Sequence, residues 1–172
     1  MIRLANKKDL IGIMKCINDA KYLFKSEGSD QWQDTDNYPN ENTILNDINR
    51  NELYVYIKEN EVLGCIVLSS LKEECYEYIT DGKWLNNDDY LVIHRLAVRG
   101  DSYQKGIAWS LIEFCIKESI CKHVKSIKVD TKRENNKMLN LLSKCGFKQR
   151  GIIYLLRADV LDKERIALEF ML

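Results

Sequence analysis

YLVIHRLAVRGDSYQKGIAWSLIEFCIKE, residues 90–118, is the stretch on which the fold turns. Tyr90 to Val98 is rich in β-branched and apolar residues and predicts a strand. Ile107, Leu111, Phe114 and Cys115 recur at helical spacing and predict an amphipathic helix. Between them Arg99 to Gly106 is polar and carries Gly100 and Gly106. A loop that opens a helix leaves backbone N–H groups without intrahelical partners, and the positive end of the helix dipole adds to their attraction for an anion. Gly106 has no Cβ to hold such an anion off. The local chemistry is that of a phosphate-binding turn behind a central strand. An ordinary β–α connection has the same outline, and the turn alone does not separate the two.

Upstream, Glu52 to Lys58 alternates aromatic and β-branched residues as a strand does, and Val62 to Ser69 is more continuously apolar, as a central strand is. With Glu59–Glu61 as the turn they form a hairpin, and Gly64 marks a bulge or a close backbone approach. Ile2 to Leu4 reads as a first short strand. Asn6 is placed to cap a helix whose apolar face runs through Leu10, Ile13, Met14, Ile17, Ala20, Tyr22 and Phe24, with Gly28 as its stop. Asn42 or Thr43 is expected to cap a second, short helix ending near Arg50. The polar stretch Ser29 to Asn42 between the helices reads as a surface loop. Its Trp32 either staples the loop to the core or forms a wall of a binding site. Leu71 to Asp89 reads as a partial strand or an irregular insert with a turn at Asp81–Gly82.

Downstream, Lys125 to Thr131 predicts a strand and Asn135 or Asn136 starts a helix through Lys144, closed by Gly146. Phe147 to Leu156 and Arg165 to Met171 read as an antiparallel pair. Mixed strands and helices in this order imply an α/β (α+β) sheet with helices on both faces.

The 172 residues suffice for one domain with a substantial core. Lys plus Arg and Asp plus Glu both total 26, so the net charge is zero and strong electrostatic binding of nucleic acid is not expected. No apolar run is long enough for a bilayer, and the start MIRLANKKDL is too polar for a secretory signal. Cys16, Cys65, Cys75, Cys115, Cys121 and Cys145 form no C-x-x-C pair, so no metal is expected and reduced thiols in a cytoplasmic protein are.

HRLAV followed by YQKGIAWSLIEF resembles the first signature of the GCN5-related N-acetyltransferases (GNAT), a LAV-like strand end before a Gln/Arg-x-x-Gly-x-Gly/Ala turn. Asn135, Met138 and Gly146–Phe147 resemble the second, at the right distance. Against the family pattern Gln104 falls one place late, Ala108 stands for the last glycine, and Leu142 occupies the helical position that often carries a tyrosine acid.

The resemblance implies a single acetyltransferase domain over residues 1–172: a central, mostly antiparallel sheet whose fourth and fifth strands are parallel and splayed. It implies acetyl-CoA as acyl donor and a primary amine of a small molecule or peptide as acceptor, with no nucleic acid or membrane as partner and a homodimer among the allowed assemblies. Gln104, Lys105, Gly106, Ile107, Ala108 and Trp109 would hold the pyrophosphate. Leu96, Ala97 and Val98 would pair with the pantetheine as an added strand does, a backbone N–H near Val98 would polarise the thioester carbonyl, and Asn135 would contact the cofactor.

His94 is the leading base, since imidazole titrates near neutral pH and some members carry histidine there. By strand alternation its side chain should share a face with Val92 and Leu96. A buried, hydrogen-bonded core histidine is the other reading. With leucine at 142, Tyr154 is the substitute acid. The loop between the first two helices commonly lines the acceptor side in this family, which gives Trp32 its binding role. The competing function is a non-catalytic acetyl-CoA-binding regulatory module of the same fold.

Overall fold

The computed structural model describes residues 1–33, 36–103, 105–157, 160 and 162–172. It contains strands β1 (Ile2–Leu4), β2 (Leu53–Lys58), β3 (Glu61–Ser69), β4 (Tyr90–Val98), β5 (Ser126–Thr131), β6 (Lys148–Tyr154) and β7 (Glu164–Met171). The α-helices are α1 (Leu10–Ser26), α2 (Glu41–Asn49), α3 (Ile107–Cys121) and α4 (Asn136–Lys144). The strands form one sheet in the order β1-β2-β3-β4-β5-β7-β6. Pairs β1–β2, β2–β3, β5–β7 and β6–β7 are antiparallel, and β4–β5 is parallel. The parallel register covers Tyr90, Leu91 and Val92 opposite Ser126, Ile127 and Lys128.

The chain divides into two compact units, Met1–Leu68 with His94–Leu111, and Ser69–Ile93 with Ile112–Leu172. In the first, Ile13, Cys16, Ile17, Ile44, Leu53, Val55, Cys65, Val67 and Ala97 make the core. Asn6 caps a 3-10 turn, Lys7–Asp9, that leads into α1; its side chain accepts from Lys8 N–H, while Asp9 accepts from Asn6 N–H and pairs with Arg3. Tyr22, expected on the apolar face of α1, is exposed. The α2 cap is Asn40, earlier than expected, because its Oδ1 accepts the Thr43 N–H at 3.0 Å in a capping box. Gly64 meets both alternatives: the β2–β3 register shifts beside it, Tyr56 pairing with Gly64 and Ile57 with Val62, and a Cβ there would come within 3.3 Å of the Ala97 carbonyl oxygen and 2.8 Å of the Ile107 side chain.

In the second unit the core is Cys75, Tyr76, Trp84, Tyr90, Val92, Ile153 and Ala167. The ambiguous stretch 71–89 is an insert with a 3-10 turn at Glu74–Tyr78 and one bridge, Thr80 to Ile152. Side chains far along the chain hold it. Glu169, fully buried, accepts the Leu85 and Asn86 N–H groups at 2.8 and 3.3 Å, and the Tyr76 hydroxyl donates to Asp130 at 2.7 Å. Gly151 lies under the insert, where a Cβ would sit 2.4 Å from the Thr80 carbonyl oxygen. Among the described residues no helix is long and apolar enough to cross a membrane.

Candidate active site

The β4–α3 connection belongs to the first unit. β4 ends at Val98, a 3-10 turn runs over Gly100–Ser102, and α3 starts at Ile107. Asp19 on α1 holds the turn, accepting the Gly100 N–H at 2.7 Å. Arg99 donates to Asp101 and to Glu61, and its guanidinium keeps the Asp101 carboxyl well below the usual carboxylate range. The Lys105 ammonium donates to the Asp101 carbonyl at 2.9 Å, which closes the turn on itself.

Gly106 has φ +76° and nothing within 4 Å of where a Cβ would stand. Left-handed backbone and open space together are what an approaching anion needs. The Ser110 N–H is bonded back to the Gly106 carbonyl at 3.0 Å. The amides of Ile107, Ala108 and Trp109 therefore precede the first intrahelical bond. Trp109 and Tyr103 are about one-third exposed, at 37% and 36%. Gln104 lies outside the described residues. A cavity of about 270 Å³ beside the turn is lined by Lys58, Arg99 and Lys105 but equally by Glu59, Glu61 and Asp101, so its charges cancel.

Along β4, Leu96 is half-buried and Ala97 and Val98 are buried. The backbone from His94 onward lies beyond the three residues in register with β5. Arg95 has φ +52°, a left-handed residue inside a strand. Such a residue breaks the alternation of side chains. The rule that set Leu96 on the His94 face does not carry through Arg95, and Val92 and His94 are the pair that alternation still relates. His94 is half-buried.

The other expected site residues are placed as follows. Trp32 is half-buried and meets Phe24 edge-on, ring centroids 5.4 Å apart, against the core of the first unit. In the second unit, Asn135 caps α4 by accepting the Met138 N–H at 3.1 Å, and its amide donates to Thr131 Oγ1 at 3.2 Å. Both functional ends of Asn135 are thus engaged within the fold. Tyr154 ends β6 opposite Glu164 and is 47% exposed. Leu142 is fully buried and packs as a core residue. Burial pushes the Cys16 and Cys75 thiols up to about 12 and raises Cys145, so none is a ready thiolate.

A cluster that the sequence did not suggest surrounds Arg95. Its Nε and Nη2 donate to the two oxygens of Asp47 at 2.7 and 2.9 Å, and Nη1 donates to the Tyr38 hydroxyl at 2.7 Å. Two signals were available: an arginine in a mostly apolar strand, and an aspartate between Ile44 and Ile48 on the inward side of α2.

The family model described as "Acetyltransferase (GNAT) family" matches residues 17–147. The chain is 30% identical to a GNAT-family acetyltransferase from Streptococcus agalactiae 2603, with a TM-score of 0.89 over 100% of this chain and 95% of that one. It shares its fold with an N-acetyltransferase from Staphylococcus aureus Mu50, 22% identical, TM-score 0.69, covering 99% and 97% of the two chains. A curated relative, UPF0157 protein YqkA of Bacillus subtilis (strain 168), is 29% identical over 125 residues, 63% of this chain. The chain spans 36% of the length of that relative.

Proposed function

We propose, from the premise that this chain belongs to the acetyltransferase (GNAT) family, that it moves an acetyl group from acetyl-CoA to a primary amine of a small molecule or peptide, working as one domain over residues 1–172. The observation that carries the reading is the turn at Gly106. Its left-handed glycine, the open space above it and the amides of Ile107, Ala108 and Trp109 at the positive end of a 15-residue helix suit a pyrophosphate. Gln104 and Lys105 precede Gly106 in the sequence and complete the cofactor set with Asn135 at the start of α4. The β4 edge at Leu96 to Val98 suits the pantetheine amides.

In this reading the amine nitrogen attacks the thioester carbonyl carbon while a backbone N–H near Val98 stabilises the oxyanion. The tetrahedral intermediate collapses with cleavage of the C–S bond. His94 takes the ammonium proton, directly or through water, and the departing thiolate gains one from Tyr154 or solvent. Trp32 bounds the acceptor. Buried free thiols at Cys16, Cys65, Cys75 and Cys115 accord with a reducing cytoplasm.

The test is release of free thiol from acetyl-CoA with a panel of polyamines, arylalkylamines, amino acids and peptides, with acetyl-CoA binding followed by calorimetry. Turnover with an amine, lost in His94→Gln, is the expected result. Binding without turnover across the panel favours the regulatory module; absence of binding rejects both.

A further inference from the structure

We propose that Arg95 is a positioning residue for the amine acceptor. Its guanidinium ties the loop ahead of α2 to the strand that carries His94. This rests on the acetyltransferase reading above and concerns the acceptor side of that same site.

Three observations converge on Arg95. Its backbone is left-handed in mid-strand, a conformation that non-glycine residues adopt only when their surroundings hold them there. Its side chain is only 11% exposed, and that of Asp47 only 1%. All its nitrogens donate, Nε and Nη2 to Asp47 on α2 and Nη1 to Tyr38 in the loop that also carries Trp32. Burial alone would push this guanidinium down, but the Tyr38 phenol and the Asp47 carboxylate outweigh it and the net shift is upward.

Stability alone is a poor reason for this arrangement, because apolar residues of similar volume commonly do as well as a buried ion pair. What a planar fork adds is geometry: it fixes two segments at once against a third. Here the third is β4, and the residue next to the fork is His94. With every nitrogen engaged, Arg95 does not touch the acceptor. It sets the loop and the histidine between which the amine would lie.

Tyr38→Phe removes the hydrogen bond to the loop and leaves the Asp47 pair, the ring and the strand in place. The expected result is a rise of about tenfold in the acceptor KM, the scale of one lost hydrogen bond to a charged group. The acetyl-CoA KM should stay as in the native chain, while the thermal midpoint falls by a few degrees because Arg95 Nη1 is left buried without its partner. Arg95→Lys keeps the charge without the fork and should shift the pH profile of kcat/KM as well, through His94. Hydrogen exchange over residues 36–45, run alongside, should quicken in Tyr38→Phe.

An unchanged acceptor KM, or equal rises in both KM values, overturns the acceptor role. Unchanged exchange overturns the loop restraint. A native chain that turns over no amine overturns the acetyltransferase reading and the acceptor role with it, while the exchange measurement decides the restraint separately.

Discussion

Arg95 in the first unit and Lys128 in the second are both cations withdrawn from water, and they are held in opposite ways. Arg95 meets a carboxylate directly, through two parallel hydrogen bonds to Asp47. Lys128, 1% exposed, has its ammonium 3.8 Å from the centre of the Tyr90 ring and 4.4 Å from that of Trp84. Its partner across the β5–β7 ladder, Glu169, accepts the backbone N–H groups of Leu85 and Asn86, with Arg150 Nε 3.4 Å away. In one unit the carboxylate of Asp47 holds two guanidiniums, Arg95 and Arg50, the second also paired with Glu52; in the other the cation rests on ring faces and the anion on the main chain. A guanidinium stays charged at any ordinary pH, whereas a lysine can discharge. Burial pushes Lys128 down to about 8, against the opposing pull of Glu169. The cation of the first device therefore keeps its charge in alkaline solution, and that of the second does not.

Removing an anion should break the comparison most sharply. Asp47→Ala leaves Arg95 buried with only the Tyr38 hydroxyl of its two side-chain partners, and a loss of about 4 kcal/mol in urea unfolding is expected. Glu169→Ala strands two main-chain donors instead and should cost about 2–3 kcal/mol. Equal losses would mean that the two devices do not differ in kind. Next comes the insert that supplies Trp84. Gly151→Ala drives a methyl group toward the Thr80 carbonyl and should cost about 2 kcal/mol, with a change in tryptophan emission as the reporter.

The pH dependence follows in size. Lys128 binds its proton less tightly in the native chain than in the unfolded one. Its contribution is therefore fully present above the unfolded lysine value near 10.4 and is lost as pH falls through about 8. Stability measured by denaturant should rise over that window by an increment on the order of 2 kcal/mol, and Lys128→Met should flatten the rise. The smallest effect belongs to Gly106→Ala, which touches neither device. The left-handed backbone should cost about 1 kcal/mol, measured by thermal unfolding. Its larger consequence should appear as weakened acetyl-CoA binding by calorimetry.

What could be read from the sequence was local. The strand at Tyr90–Val98, the turn at Gly106 and the helix from Ile107 follow from periodicity and from what glycine permits, and the structure has them where the residues put them. The Asn135 cap and the Gly146 stop are decided within one helical turn. The insert at 71–89 could not be read because what anchors it is not local: Glu169 comes from a strand more than eighty residues on. The Arg95 kink was hidden for the same reason. A left-handed arginine in a strand has no signature of its own and exists because Asp47, 48 residues earlier, is there to hold it. Asn40 rather than Asn42 capped α2 because two asparagines and a threonine lay within reach, and capping preference does not separate them.

The grip of Glu169 on Leu85 and Asn86 also sets a timetable. The carboxylate lies 84 residues beyond the first of these amides. At a synthesis rate of about 5–20 residues per second, the insert emerges roughly 4–17 seconds before its anchor is made. Through that interval Tyr76 and Trp84, both buried in the finished fold, lack the strand that secures them. A growing chain thus carries an aromatic segment whose final tether follows it by 84 residues, and that segment is where a nascent-chain chaperone would find apolar surface to hold.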